Sequence, residues 1–119
     1  MSVKLSLPWP PTVNLIWKPI KKGFRRSGEY QKFLDLAFFM VKSQLPRSFK
    51  PFEGEVEVRI LLFPPSSRRY DVDNRVKPVL DALTKAGVWE DDSQVRTITV
   101  SKEYPQQRAE ALVQITELQ

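Results

Sequence analysis

The sequence holds two knots of carboxylates with a lysine between them: Asp71-Val72-Asp73-Asn74, then Lys77, then Glu90-Asp91-Asp92. In an extended segment, residues two apart point to the same side with about 6.5–7 Å between them, so Asp71 and Asp73 would both reach one cation. Two carboxylates at about 4 Å repel by about 4 kcal/mol at a surface-like dielectric, and a site that keeps both ionised needs a cation or basic neighbours. Mg2+ suits such a pair, with Mn2+ as a substitute: it takes oxygen ligands, keeps waters, and is held by one or two carboxylates plus a substrate phosphate. An EF-hand calcium loop is excluded, because Val76 stands where its glycine belongs and Ala82 where its bidentate glutamate belongs. The Asp-x-Asp of nucleotide-sugar transferases needs a nucleotide-binding domain that this chain is too short to house. The structural alternative is a helix N-terminus dressed with acids. Glu90-Asp91-Asp92 lies beyond a helix C-terminus, where carboxylates gain nothing from the helix dipole, and its alternative is a solvated turn. Asp91 or Asp92 reaches the Asp71 and Asp73 end only if the following strand runs back along the helix. Lys77, four residues after Asp73 and four before Asp81, shares their helix face. It is either part of an ion-pair ladder or an ammonium placed beside a reacting phosphate, where it would stabilise developing charge.

What the chain lacks narrows the chemistry further. It has no cysteine and no histidine, which excludes disulfides, thiolate and Ser-His-Asp catalysis, imidazole bases, and Cys- or His-ligated metals. A base that activates water must therefore be a carboxylate or arise at an oxygen-ligated metal. The 119 residues carry 19 Lys+Arg against 14 Asp+Glu, a formal charge of +5. The excess is uneven. Residues 1–70 hold 13 basic and 5 acidic side chains, a balance of +8, whereas residues 71–119 hold 6 and 9, a balance of −3. A basic half attracts polyanions, since releasing counterions from phosphates drives association. Many ordinary domains are as basic, so charge by itself leaves nucleic-acid binding open. The opening MSVKLSLPWPP has no apolar h-region, and no stretch approaches the roughly 18 apolar residues of a membrane span. A cytoplasmic setting without a membrane partner is expected.

The elements that must position these residues follow from the hydrophobic pattern. Val3, Leu5 and Leu7 alternate with polar neighbours, which predicts a strand ended by Pro8-Trp9-Pro10-Pro11. Pro11 to Gly28 reads as a long loop in which Lys18, Lys21, Lys22, Arg25 and Arg26 interleave with Trp17 and Phe24. That composition suits phosphate contacts and base stacking. A helix is predicted over 29–44, with Tyr30, Phe33, Leu34, Ala37, Phe38 and Val41 in one stripe. Leu36, Phe39 and Met40 widen its apolar surface, as in a helix that is buried or at a subunit interface. Val56, Val58, Ile60 and Leu62 alternate with charged residues and predict a strand stopped by Pro64-Pro65. A loop over 64–74, carrying Arg68 and Arg69, leads to a second helix that ends near Ala86. Val76, Val79, Leu80 and Leu83 form its apolar face, and Gly87 suits the position past its end. Pro78 is expected near its first turn, which leaves Asp71, Asp73 and Asn74 at or before the helix start. Strands over 95–100 and 109–116 complete the order β-α-β-α-β-β. The expected fold is one α/β domain of α+β type over residues 1–119, a mixed sheet with two packed helices.

Leu7-Pro8-Trp9-Pro10-Pro11, together with the run from Arg69 to Val95 that contains Asp71-Val-Asp73-Asn74, Lys77, Asp81, Gly87, Trp89 and Asp91-Asp92-Ser93-Gln94-Val95, resembles the RusA family of Holliday junction resolvases. These are small endodeoxyribonucleases often carried by phages and prophages. The resemblance covers nearly the whole chain in length and element order. It implies that Asp71, Asp73 and Asp92 are metal-binding catalytic acids and that Lys77 is the catalytic lysine, in contact with DNA. It further implies Mg2+ dependence, a homodimer, and paired symmetric nicks in opposed strands of a four-way junction during DNA recombination and repair, with no small-molecule substrate. Arg68 and Arg69 are expected to hold DNA. Family members often run basic residues up to the first aspartate; here Tyr70 occupies that place and offers a stacking surface instead. A two-fold junction matches a two-fold dimer, with the apolar first helix or an open sheet edge as its interface. The rival readings are a non-catalytic module that binds branched DNA through the basic loop, and an assembly protein whose acidic turn is surface decoration.

Overall fold

Alternation at the N-terminus produces strand β1, Ser2–Pro8, which buries Leu5 and Leu7. The computed structural model describes residues 1–13 and 28–119 with their side chains, and between them the backbone of residues 17–20 and 23–26. Within that segment the expectation of an uninterrupted loop is corrected. Strands β2, Trp17–Ile20, and β3, Gly23–Arg26, pair antiparallel as a separate two-stranded sheet, with Trp17 opposite Arg26. Four-residue strands containing Pro19 and many charges lack the apolar alternation that announces a core strand. A two-stranded ribbon is all edge and tolerates the proline. The side chains of Lys18, Lys21, Lys22, Arg25 and Arg26, expected to hold DNA, lie outside the described residues.

Helix α1, Gly28–Gln44, buries Tyr30, Phe33, Leu34, Ala37 and Val41 at helical spacing. Its opposite side leaves Leu36 and Phe39 53% and 72% exposed. Gln44 docks its end on the sheet: its Nε2 donates to the Ser6 carbonyl at 2.8 Å, and the Ser6 N–H donates to its Oε1 at 2.7 Å. Strand β4, Val56–Phe63, buries Val56, Val58, Ile60 and Leu62. Helix α2, Asp73–Lys85, buries Pro78, Val79, Leu80, Ala82 and Leu83. Pro78 lies in the second turn, later than expected, and offers no N–H to the Asn74 carbonyl. The helix is long enough to carry that loss, because its apolar face is held by the core. Gly87 follows its end with φ +77°, the left-handed conformation that glycine adopts without strain.

Strands β5, Val95–Lys102, and β6, Glu110–Glu117, complete a four-stranded mixed sheet in the order β1-β6-β4-β5. β1 and β4 flank β6 antiparallel, while β4 and β5 run parallel. The two helices pack side by side on one sheet face over a continuous core. Helix α2 is thus the crossover between two parallel neighbours, and the chain that leaves its C-terminal end turns back to enter β5. That return passes through Trp89, buried, whose indole N–H donates to Thr84 Oγ1 at 2.7 Å. It delivers the second carboxylate knot to the flank of α2.

Candidate active site

Asp71 and Asp73 stand exposed at the entry of α2. The N-cap position is Val72, with no side-chain hydrogen bond to the first turn, so neither aspartate serves as the cap. The Asp-x-Asp segment is not extended, however. Val72 has φ −63° and ψ −37°, a helical conformation in which residues two apart do not face each other. Asn74 Nδ2 donates to Asp71 Oδ2 at 3.4 Å, and Asp73 gains from the dipole of the first turn.

Lys77, one turn further along, is where helix α2 meets the second carboxylate knot. Its ammonium donates to Asp81 Oδ1 at 2.9 Å and lies 3.7 Å from Asp92 Oδ2. The other oxygen of Asp81 accepts a hydrogen bond from the hydroxyl of Tyr30, which is fully buried on α1. Both oxygens of Asp81 are therefore engaged, one by a residue anchored in the core and one by Lys77. The lysine is aimed by this relay and is not left to wander. The hydrogen bond to Asp81 holds the Lys77 pKa above its ordinary 10.5, helped by the charges of Asp81 and Asp92 and opposed by partial burial. The ammonium thus stays charged across neutral and mildly alkaline pH. The ladder expected from Asp73 through Lys77 to Asp81 forms only in its second half, and its other partner is Asp92.

The turn that carries Asp92 is built by its neighbours. Asp91 caps a short 3₁₀ turn over Asp92–Gln94, accepting from Ser93 Oγ at 3.0 Å and from the Ser93 N–H at 3.4 Å. The Ser93 hydroxyl bond holds the Asp91 carboxyl below its ordinary range. Gln94 closes the box from the other side. Its Oε1 accepts from the N–H groups of Glu90 and Asp91 at 3.0 and 3.1 Å, and its Nε2 donates to the carbonyls of Phe52 and Gly54 at 2.7 and 2.9 Å. The two adjacent aspartates thereby take different roles, since Asp91 shapes the turn and Asp92 presents its carboxylate to Lys77. A cavity of about 380 Å³ beside them is lined by Gln31, Leu34, Asp81, Thr84, Lys85, Asp91 and Asp92.

Upstream, Arg75 clamps three segments. Its guanidinium lies 5.2 Å from the Trp9 ring and 5.8 Å from the Tyr70 ring, and its Nη1 donates to the Pro10 carbonyl at 2.7 Å. Trp9 and Tyr70 meet edge to face at 5.2 Å. Burial lowers the Arg75 pKa and raises that of the Tyr70 phenol. The proline-rich end of β1, the loop before Asp71 and the first turn of α2 are thus one packed unit. Tyr30, Gln94 and Arg75 are the residues that the sequence did not single out for the site. Tyr30 carried a usable signal, a hydroxyl inside an otherwise apolar stripe; Gln94 stood in the Asp91-Asp92-Ser93-Gln94-Val95 element with no role given to it, and Arg75 carried none.

Among the described residues, no three acidic side chains gather closely enough to surround one ion. The donors themselves suit a hard cation: Asp71 and Asp73 are exposed and free of capping duty, and Asp92 already faces a positive charge. One or two carboxylates are the usual protein share of a Mg2+ shell, so the residues fit that ion. The sequence model of the family described as Endodeoxyribonuclease RusA matches residues 8–116. The chain belongs to the RusA endodeoxyribonuclease family. It is 36% identical over 98 residues to the crossover junction endodeoxyribonuclease RusA of Escherichia coli strain K12, and equally so to that of Enterobacteria phage 82. The protein of the same name from Escherichia coli O139:H28 is 34% identical over 98 residues. These matches span 82% of this chain and 80% of each relative. As a RusA-family member the chain is an endodeoxyribonuclease, of a family found in bacteria and in a phage. No helix among the described residues is long and apolar enough to cross a membrane.

Proposed function

We propose that this chain resolves Holliday junctions, as a homodimer that makes paired symmetric nicks in opposed strands with Mg2+ as cofactor. The observation that carries the reading is the convergence of Lys77, Asp81 and Asp92 beside the uncapped aspartates of α2. The relatives are named crossover junction endodeoxyribonucleases, and a four-way junction is the substrate that this name implies. Asp71, Asp73 and Asp92 would supply the carboxylates, one or two to an ion, and the ion when bound supplies Lewis acidity at the scissile phosphate and a water of lowered pKa. The chain's own residues do the rest. Lys77 neutralises charge as it builds on the phosphate oxygens. Tyr30 and Asp81 orient that ammonium, while Asp91 and Gln94 hold the turn that presents Asp92. Arg68 and Arg69 grip the flanking backbone, together with Lys18, Lys21, Lys22, Arg25 and Arg26. Support for the dimer comes from the exposed Leu36 and Phe39 on α1 and from β5 as an open sheet edge. The cytoplasm of a bacterial or phage-infected cell is the setting, and residues 1–119 act as one domain.

The test is a labelled synthetic four-way junction offered beside a linear duplex of the same sequence, with Mg2+ and again with chelator. Symmetric nicks in the junction alone, lost with chelator, are expected. Binding without nicking under either Mg2+ or Mn2+ would leave a branched-DNA-binding module. A monomer by mass measurement, with and without junction, would overturn the dimer.

A further inference from the structure

The loop between β5 and β6 faces the segment that leads into Asp71, and a cavity of about 460 Å³ separates them. That volume is in the range of small-ligand sites. Ser66, Arg68, Arg69 and Tyr70 form one wall, and Lys102 and Tyr104 the other. Three of these are cations. Among the described residues, Arg68 and Arg69 have no ion-pair partner, unlike Arg75, which is committed to Pro10, Trp9 and Tyr70. Lys102 rests with its ammonium 4.8 Å from the centre of the Tyr70 ring, a contact with an aromatic face that leaves its protons open to an anion. The carboxylate in this wall, Glu103, accepts from Ser101 Oγ at 3.2 Å. Tyr104 is 89% exposed, an aromatic ring held out in solvent at the cleft mouth, where burial explains nothing about it.

Cations along a groove with an exposed aromatic ring are the arrangement that binds single-stranded nucleotides: charges track the phosphates and the ring receives a base. Tyr70 is bonded directly to Asp71, so the cleft begins about 3.8 Å of backbone from the candidate catalytic acids. We propose that this cleft is a subsite for the nucleotide next to the scissile phosphate, with its base unstacked onto Tyr104 and its phosphate held by Arg68, Arg69 and Lys102. The proposal rests on the junction-cleaving reading and adds to it a residue, Tyr104, and a strand, β5, that the site did not include. A four-way junction is a suitable source of such a nucleotide, since bases at a branch point are less securely stacked than those in a duplex.

Junction affinity, measured by titration in chelator so that no strand is cut, tests it. Wild type, Tyr104→Ala and Tyr104→Phe are each titrated with the intact junction and with junctions carrying an abasic site at each position flanking the cut. Tyr104→Ala is expected to bind the intact junction about tenfold more weakly, and Tyr104→Phe to bind as wild type, since every base offers a π-face to a ring. At one flanking position the abasic junction should bind wild type and Tyr104→Ala equally. Tyr104→Ala binding like wild type, or a loss that is the same at every abasic position, would overturn the subsite. Nicking by wild type in Mg2+ is scored separately. Its absence would sink the nuclease reading while leaving the base-stacking result intact, and failure of wild type to bind the junction at all would overturn both.

Discussion

Lys77 Nζ lies 3.7 Å from Asp92 Oδ2, so a residue of the second turn of α2 shares its charge with one in the turn before β5. The segment between α2 and β5 makes this meeting possible, because its 3₁₀ turn over Asp92–Gln94 packs against α2. The contact joins two parts of the sequence that are each unremarkable as surface charge.

Removing the ammonium isolates its role. Lys77→Ala is expected to slow junction cleavage by about 10²–10³-fold, the range for losing a preorganised charge aimed at a reacting group. Junction affinity should change only a few-fold, and urea unfolding little, since the side chain is 53% exposed. Equal losses of binding and cleavage would make Lys77 a binding residue.

The same pair gives a pH dependence. The Lys77 pKa is raised in the folded state, so its contribution to stability is complete below the unfolded lysine value of about 10.4 and fades as pH climbs through the folded value. Urea midpoints taken between about pH 10 and 12 should therefore fall more steeply for wild type than for Lys77→Met. Parallel curves for the two proteins would contradict the raised pKa.

Gln94 holds the Asp92 turn with both ends of its amide. Gln94→Ala strips partners from the N–H groups of Glu90 and Asp91 and from the carbonyls of Phe52 and Gly54. Loss of about 2 kcal/mol in urea unfolding is expected, with cleavage reduced as Asp92 loosens. Gln94→Glu should not rescue, because it sets a carboxylate against two carbonyl oxygens. Rescue by Gln94→Glu would show that only the acceptor end matters.

Much of the fold is legible in the residues alone. The alternation of Val56, Val58, Ile60 and Leu62 and the stripe from Tyr30 to Val41 specify a strand and a helix, because burial on one side leaves a period of two or of 3.6. Sequence could not supply the partners of Lys77. Spacing along α2 offers Asp73 and Asp81 equally, and only tertiary packing puts Asp92 in place of Asp73. The β2–β3 pair is illegible because its four-residue strands lack the apolar alternation that marks a core strand. The conformation of Val72 is hidden because Asp-x-Asp reads alike in extended and helical backbone.

Arg75 is equally silent in the sequence, and its planar fork is the reason it matters. Arg75→Lys keeps a charge that can reach the Pro10 carbonyl but loses the flat surface between Trp9 and Tyr70. A loss of about 1–2 kcal/mol in stability is expected, with cleavage falling more than binding as the entry to α2 slackens. Weaker binding at unchanged stability would instead place Arg75 on the DNA.

Asp73→Asn tests the central claim most directly, because it removes one charge at the helix entry and keeps the shape. Cleavage of a labelled four-way junction in Mg2+ and junction affinity in chelator are measured side by side on this variant and on wild type. The account predicts paired nicks by wild type, none by Asp73→Asn, and affinities that match within a few-fold. Undiminished nicking by Asp73→Asn would contradict it.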